Sequence, residues 1–429
     1  MKIRPAASLS GIVNLPGDKS ISHRAALIAA MAAGETRIEN FSTAADCRTT
    51  LDCLRKLGVP ISQSGTDVVI TGVGKTGFRK PEKPLDCGNS GTTMRLLAGI
   101  LAGQDFESTL TGDESLMKRP MQRVIDPLEK MGVQIRSNGG KAPLVISGKN
   151  PLQSITHKPE IASAQVKSSI LLAALNADGE TVIVEPIQTR DHTERMLDWF
   201  GADIKKNESD MRIAVSGNSE LTARDFKIPS DISSAAFFIV AAACLKSSEL
   251  TLPNVGINPT RTSIIELLVN LGMNIEILDA KEICNEPVGT IRVRGGLVTQ
   301  ENKVILDGLK IAGLIDELPV IAVLGTQFEH GIEVRNASEL RVKETDRISA
   351  VTENLRRMGA DVTEFEDGFM VERSRLKGAK VDSFGDHRIA MAFAVAGLLA
   401  EGETEILGAE CADISFPGFF NTLSSVVDC

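Results

Sequence analysis

Lys19, Ser20 and Arg24 head a run, "KSISHRAALIAAMAAG", that is otherwise almost entirely small and apolar. Such a run predicts a helix buried on most of its faces. A helix start is already partly positive, because its first N–H groups lack partners and its peptide dipoles point that way. Two cations there work against stability. They make chemical sense where an anion is to be held.

The arrangement recurs along the chain. Asn89-Ser90-Gly91-Thr92 with Arg95, and Ser163-Ala164-Gln165 with Lys167, open two further apolar runs. Ser230-Asp231 with Ser233 and Ser234, then Asp316-Glu317, then Asp386-His387-Arg388 open three more. Ser20 and Arg24 are four residues apart, as are Ser163 and Lys167, so each pair shares a helix face. Taken singly, each Ser, Asn or Asp serves equally well as an ordinary N-cap. Capping leaves Lys19, Arg24, Lys167 and Arg388 without a role, since cations are disfavoured in a first turn.

Six small-residue helices must position these clusters, and a second element alternates with them. It is an amphipathic helix ending in an apolar residue and Gly, then a short alternating strand: "LDCLRKLGVPIS", "IDPLEKMGVQIRS", "ERMLDWFGADIKK", "IIELLVNLGMNIEI" and "VTENLRRMGADVTE". The glycines are Gly58, Gly132, Gly201, Gly272 and Gly359, spaced by 74, 69, 71 and 87 residues. Gly after a last helical turn predicts a left-handed C-cap. The chain therefore reads as repeated α/β modules of about 70 residues, packed three plus three.

Composition narrows the function. At 429 residues the chain exceeds one ordinary core, so two domains are expected. A net charge of −9, one Trp and no Tyr argue against a nucleic-acid surface. Any anion site is thus a local concentration of cations in an acidic protein. Seven scattered cysteines without a C-x-x-C pair suit a reduced, cytoplasmic protein. No metal-ligand spacing is present among five histidines, no signal peptide opens the chain, and the longest apolar run is too short for a membrane. "TGVGKTG" at 71–77 imitates a phosphate-binding loop, but Val69 stands where its first Gly belongs, so a plain turn is expected.

The blocks "PGDKSISHRA", "CGNSGTTMRLL", "MKRPM", "SAQVKSSILLAAL", "RDHTERML", "ELRVKETDR" and "GDHRIAMAFAVAG" together resemble the 5-enolpyruvylshikimate-3-phosphate synthase family, in order from Leu15 to Pro417. The resemblance implies a two-domain inside-out α/β barrel of six βαβαββ repeats. Residues 1–15 plus 230–429 would form one domain and 16–229 the other, with the active site in the cleft between them. It implies transfer of the enolpyruvyl group of phosphoenolpyruvate to the 5-hydroxyl of shikimate 3-phosphate, with release of phosphate, by a monomer that needs no cofactor or metal.

By resemblance, Lys19, Ser20, Arg24, Ser163, Ala164, Gln165, Arg190, Asp316 and Lys343 hold shikimate 3-phosphate. Lys19, Gly91, Arg119, Gln165, Arg347 and Arg388 hold phosphoenolpyruvate. Asp316 is implied as the base and Glu344 as the acid/base for the vinyl methylene, with Lys19 and His387 assisting. The herbicide glyphosate, which the family binds in place of phosphoenolpyruvate, is an expected inhibitor. Some relatives carry a Lys shortly before the "FP" pair; "CADISFPGF" has none. The related enolpyruvyl transferase acting on UDP-N-acetylglucosamine relies on a loop Cys that "LTGDESLMKRP" lacks. RNA 3′-phosphate cyclase, a third relative, needs RNA contacts absent here, and a non-enzymatic repeat scaffold is the remaining alternative.

Overall fold

The computed structural model describes residues 1–207, 209–296 and 302–428. The chain divides into two compact units. One comprises Gly17–Ile228 with Ile283–Glu286; the other comprises Met1–Pro16, Pro229–Glu282 and Pro287–Cys429. Cys429 itself, one of the seven cysteines, lies outside the described residues.

In the Gly17–Ile228 unit the helices are α1 (Lys19–Met31), α2 (Ala45–Lys56), α3 (Gly91–Ala102), α4 (Glu114–Lys118), α5 (Gln122–Lys130), α6 (Ala164–Ala174) and α7 (His192–Trp199). The other unit carries α8 (Ile232–Cys244), α9 (Ser263–Asn270), α10 (Leu309–Leu314), α11 (Leu318–Gly325), α12 (Arg347–Arg357), α13 (His387–Leu399) and α14 (Phe419–Ser424). The six small-residue runs are α1, α3, α6, α8, α11 and α13. Their burial is nearly continuous: in α8 every residue from Ile232 to Ala243 is buried. Small side chains allow it, because Ala, Ser and Gly let helix backbones approach closely.

The amphipathic helices α2, α5, α7, α9 and α12 end as expected. Gly58, Gly132, Gly201, Gly272 and Gly359 all have positive φ, between +77° and +96°. That conformation costs an L-residue energy but not glycine.

Among the described residues each unit holds three separate sheets. Four sheets repeat one pattern, a short parallel edge strand followed by two antiparallel pairings. The Leu85–Asp86 and Glu107–Thr111 strands, for instance, are parallel across α3, and Leu144–Ser147 and Gln134–Arg136 complete the sheet. This is the βαβαββ module. Two modules are completed from far along the chain: Phe226–Lys227 pairs parallel with Ala33–Glu39, and Ser8–Ile12 with Glu249–Gly256. Those pairings satisfy backbone edges that would otherwise be open. The "TGVGKTG" stretch is a strand end and turn, with Lys75 Nζ donating to the carbonyls of Leu175 and Gly217 at 3.1 and 3.0 Å.

Candidate active site

The cap of α1 is Asp18, not Ser20: its carboxylate accepts from the Ile21 N–H at 2.8 Å. Lys19 and Ser20 then form the first turn, half-buried, and Lys19 Nζ pairs with Asp46 at 3.0 Å. Arg24 lies one turn further, 3% exposed. Its guanidinium donates to the Ser20 carbonyl (2.9 Å), the Thr193 hydroxyl (2.7 Å) and the Ser168 hydroxyl (2.8 Å). Ser168 in turn donates to the Ala164 carbonyl at 2.6 Å. Neutral acceptors from α1, α6 and α7 thus fix a buried cation beside Ser20.

Ser163 caps α6, its oxygen accepting from the Val166 N–H at 3.4 Å, and Ala164 and Gln165 open the helix half-buried. The Gln165 amide accepts from Arg95 at 2.8 Å and donates to Thr92 at 2.9 Å, tying α6 to the first turn of α3. Gly91 begins α3 behind the Ser90 cap. Arg119 is buried and donates to the Asn89 side chain at 2.7 Å, which brings it to the same turn. Arg190 is half-buried, two residues ahead of α7.

Lys167 corrects one expectation. Its position four residues after Ser163 suggests an anion ligand, yet its ammonium sits between the buried carboxylates of Glu194 (2.7 Å) and Glu185 (3.0 Å). Burial alone would lower its pKa; those carboxylates hold it above the ordinary value instead. The Lys167 charge is spent inside the unit.

The second constellation lies in the other unit, around Arg347 at the start of α12. Arg347 is 1% exposed. Its Nε and Nη2 donate to Asp386 at 2.8 and 3.3 Å, and Nη2 donates to Glu344 at 2.7 Å. Asp316 Oδ1 stands 3.6 Å from Nη1, an ion-pair distance but not a hydrogen bond. Nη1 is buried and has no hydrogen-bond acceptor among the described residues. Burial opposes the charge, but Asp386, Glu344 and Asp316 outweigh it and hold the guanidinium above its ordinary pKa.

Arg388, in the first turn of α13, donates from Nη1 to the Asp316 carbonyl at 2.9 Å, and its Nη2 lies 3.6 Å from Asp316 Oδ2. Asp386 caps α13 and His387 is buried beside it. Lys343 is half-buried just ahead of Glu344. Asp316, Glu344, Arg347, His387 and Arg388 are therefore gathered at adjoining helix starts of one unit, whereas Lys19 belongs to the other. Asp386, Arg95, Ser168 and Thr193 were not singled out as site residues. Asp386 and Arg95 stand in the polar clusters of the sequence and Thr193 in "RDHTE", so the signal was present without a partner to interpret it.

What this geometry can do is bind multiply charged anions and exchange protons beside them. A profile of the EPSP synthase (3-phosphoshikimate 1-carboxyvinyltransferase) family matches residues 3–423. A 3-phosphoshikimate 1-carboxyvinyltransferase of Pelotomaculum thermopropionicum is 50% identical over 433 aligned positions, covering 100% of this chain and 99% of that protein. One from Solibacter usitatus is 48% identical, with the same coverage. The solved EPSP synthase of Acinetobacter baumannii superposes with a TM-score of 0.87 at 41% identity, covering 99% of this chain and 98% of that one. The chain belongs to the EPSP synthase family.

Proposed function

We propose that the two constellations serve one reaction. The chain transfers the enolpyruvyl group of phosphoenolpyruvate to shikimate 3-phosphate, a step of the shikimate pathway that builds aromatic compounds. Shikimate 3-phosphate is held by Lys19, Ser20, Arg24, Ser163, Ala164, Gln165 and Arg190, with Asp316 and Lys343 from the other unit. Phosphoenolpyruvate is held by Lys19, Gly91, Arg119 and Gln165, with Arg347 and Arg388. The observation that carries this reading is Arg347: a buried guanidinium ringed by Asp316, Glu344 and Asp386, with one nitrogen that has no hydrogen-bond acceptor among the described residues.

The chemistry is an addition followed by an elimination. Asp316 takes the proton of the 5-hydroxyl as its oxygen attacks C2 of phosphoenolpyruvate. Glu344 delivers a proton to the methylene, giving a tetrahedral ketal. Elimination then returns a methyl proton to Glu344, expels phosphate and restores the vinyl group. Glu344 is paired with Arg347 at 2.7 Å, which suits a base. An anionic substrate reaching Arg347 competes for that pair and raises the proton affinity of Glu344, as an acid requires. The arginines balance phosphate and carboxylate charge throughout.

The dispersed cysteines support a reducing, cytoplasmic setting, and substrates of this size call for no partner protein, so a monomer is proposed. Among the described residues no helix is long and apolar enough to cross a membrane. The deciding assay is release of phosphate from phosphoenolpyruvate. It should require shikimate 3-phosphate and should not proceed with UDP-N-acetylglucosamine. Turnover with the nucleotide sugar alone would overturn the reading.

A further inference from the structure

Of the Asp316-Glu317 pair that precedes α11, the reaction above uses only Asp316. Glu317 is 3% exposed, too buried to be a surface charge. Its side chain makes no capping bond to α11. It turns instead toward two other helix starts. The Ser233 hydroxyl, in the first turn of α8, donates to Glu317 Oε1 at 2.6 Å, and the same oxygen lies 3.7 Å from Arg388 Nη1, in the first turn of α13. Ser233 is itself held by Arg261 Nη2 at 3.0 Å, which also reaches Asp231 at 3.4 Å. A buried chain, Arg261–Ser233–Glu317, thus ends against Arg388.

We infer that Glu317 is a positioning residue that holds the Arg388 guanidinium in place for phosphoenolpyruvate while Asp316 changes charge. This rests on the proposed roles of Arg388 and Asp316. Arg388 has two carboxylate neighbours, Asp316 at 3.6 Å and Glu317 at 3.7 Å. If Asp316 accepts the hydroxyl proton, its carboxylate becomes neutral partway through each turnover and loses its charge attraction for Arg388 Nη2, leaving only the backbone carbonyl bonded to Nη1. Glu317, buried and held by Ser233, takes no part in that proton transfer. One carboxylate does the chemistry and its neighbour keeps the cation aimed. A long, rotamer-rich side chain such as Arg needs such an anchor to present its donors in one geometry.

The test is steady-state kinetics of Glu317→Gln, with Arg388→Lys as the reference. Arg388→Lys should raise the phosphoenolpyruvate KM; if it does not, the reading of Arg388 fails, whatever Glu317 does. Given that rise, Glu317→Gln should raise the phosphoenolpyruvate KM about tenfold, leave the shikimate 3-phosphate KM within about twofold, and add little in the Arg388→Lys background. Glu317→Asp should recover part of the loss. Equal changes in both KM values would mean a general structural role and would overturn the inference. A lower phosphoenolpyruvate KM would overturn it too, because it would mark Glu317 as a mere counter-charge that repels the substrate. Should Glu317→Gln not fold, Ser233→Ala carries the same test, with a smaller rise expected in the phosphoenolpyruvate KM alone and an unchanged KM overturning the inference.

Discussion

The two units use the same device, small-residue helices with polar starts, yet hold their arginines differently. In the Gly17–Ile228 unit, Arg24 is oriented by hydroxyls and a carbonyl, and Arg119 by the Asn89 amide and, more weakly, Ser115. Such acceptors orient a guanidinium through neutral oxygens. In the other unit, Arg347 and Arg388 face Asp316, Glu317, Glu344 and Asp386. The difference fits the proposed division of labour, in which hydroxyl- and carbonyl-held cations bind anions and carboxylates beside cations move protons. Lys19 with Asp46 is the mixed case.

The comparison breaks first at Asp316. Asp316→Asn keeps shape and hydrogen bonding but removes the base, so kcat should fall about 10²- to 10⁴-fold. Shikimate 3-phosphate affinity, measured by titration calorimetry, should stay within roughly tenfold. A fall of less than about fivefold in kcat would show that the carboxylate unit does not supply the base.

Arg24→Ala tests the opposite pole. Losing a charged donor costs about 1.5–3 kcal/mol, or on the order of 10- to 150-fold in shikimate 3-phosphate affinity, with the larger loss in KM rather than kcat. A loss confined to kcat would contradict the assignment of this unit to binding.

Gly91 sharpens the picture within the binding unit. A methyl at this position would stand 2.6 Å from Arg95 Nη1 and 3.4 Å from Arg119 Nη1. The nearer atom is the tip of a flexible side chain, so Arg95 can shift, but the space for a ligand shrinks. Crowding of this kind costs about 1–3 kcal/mol and falls harder on glyphosate, which is longer than phosphoenolpyruvate. Gly91→Ala should raise the glyphosate inhibition constant about tenfold and the phosphoenolpyruvate KM by less than about threefold. Parallel changes would show that this position does not discriminate by length.

The smallest effect is on stability. His23 is fully buried, its Nδ1 2.7 Å from the Thr50 hydroxyl. Burial, then the charges of Lys19 and Arg24, push its pKa far below the ordinary value. The unfolded chain therefore binds a proton near pH 6.5 that the folded unit refuses. Stability from this source is complete above about pH 6.5 and declines as pH falls, by up to about 1.4 kcal/mol per unit. Denaturant unfolding at pH 7.5 and 5 should show the slope, and His23→Gln should flatten it. An unchanged slope would mean that His23 is not its source.

What the sequence by itself determined is whatever depends on near neighbours. Alternating helix types, the glycines that end them and the polar residues that open them follow from periods of two to four residues and from backbone preferences, and all are legible in one pass. The six helices built of small and apolar residues had to be buried whatever they packed against. The partners of the charges were not legible, because ion pairs join residues far apart in the chain: Arg24 meets Thr193 across 169 positions and Arg347 meets Asp386 across 39. Lys167 and Arg24 read alike as cations in first turns. Only the tertiary structure set Lys167 between Glu185 and Glu194 and brought Arg24 to the hydroxyls of Ser168 and Thr193, and in a buried setting such partners decide what a charge does.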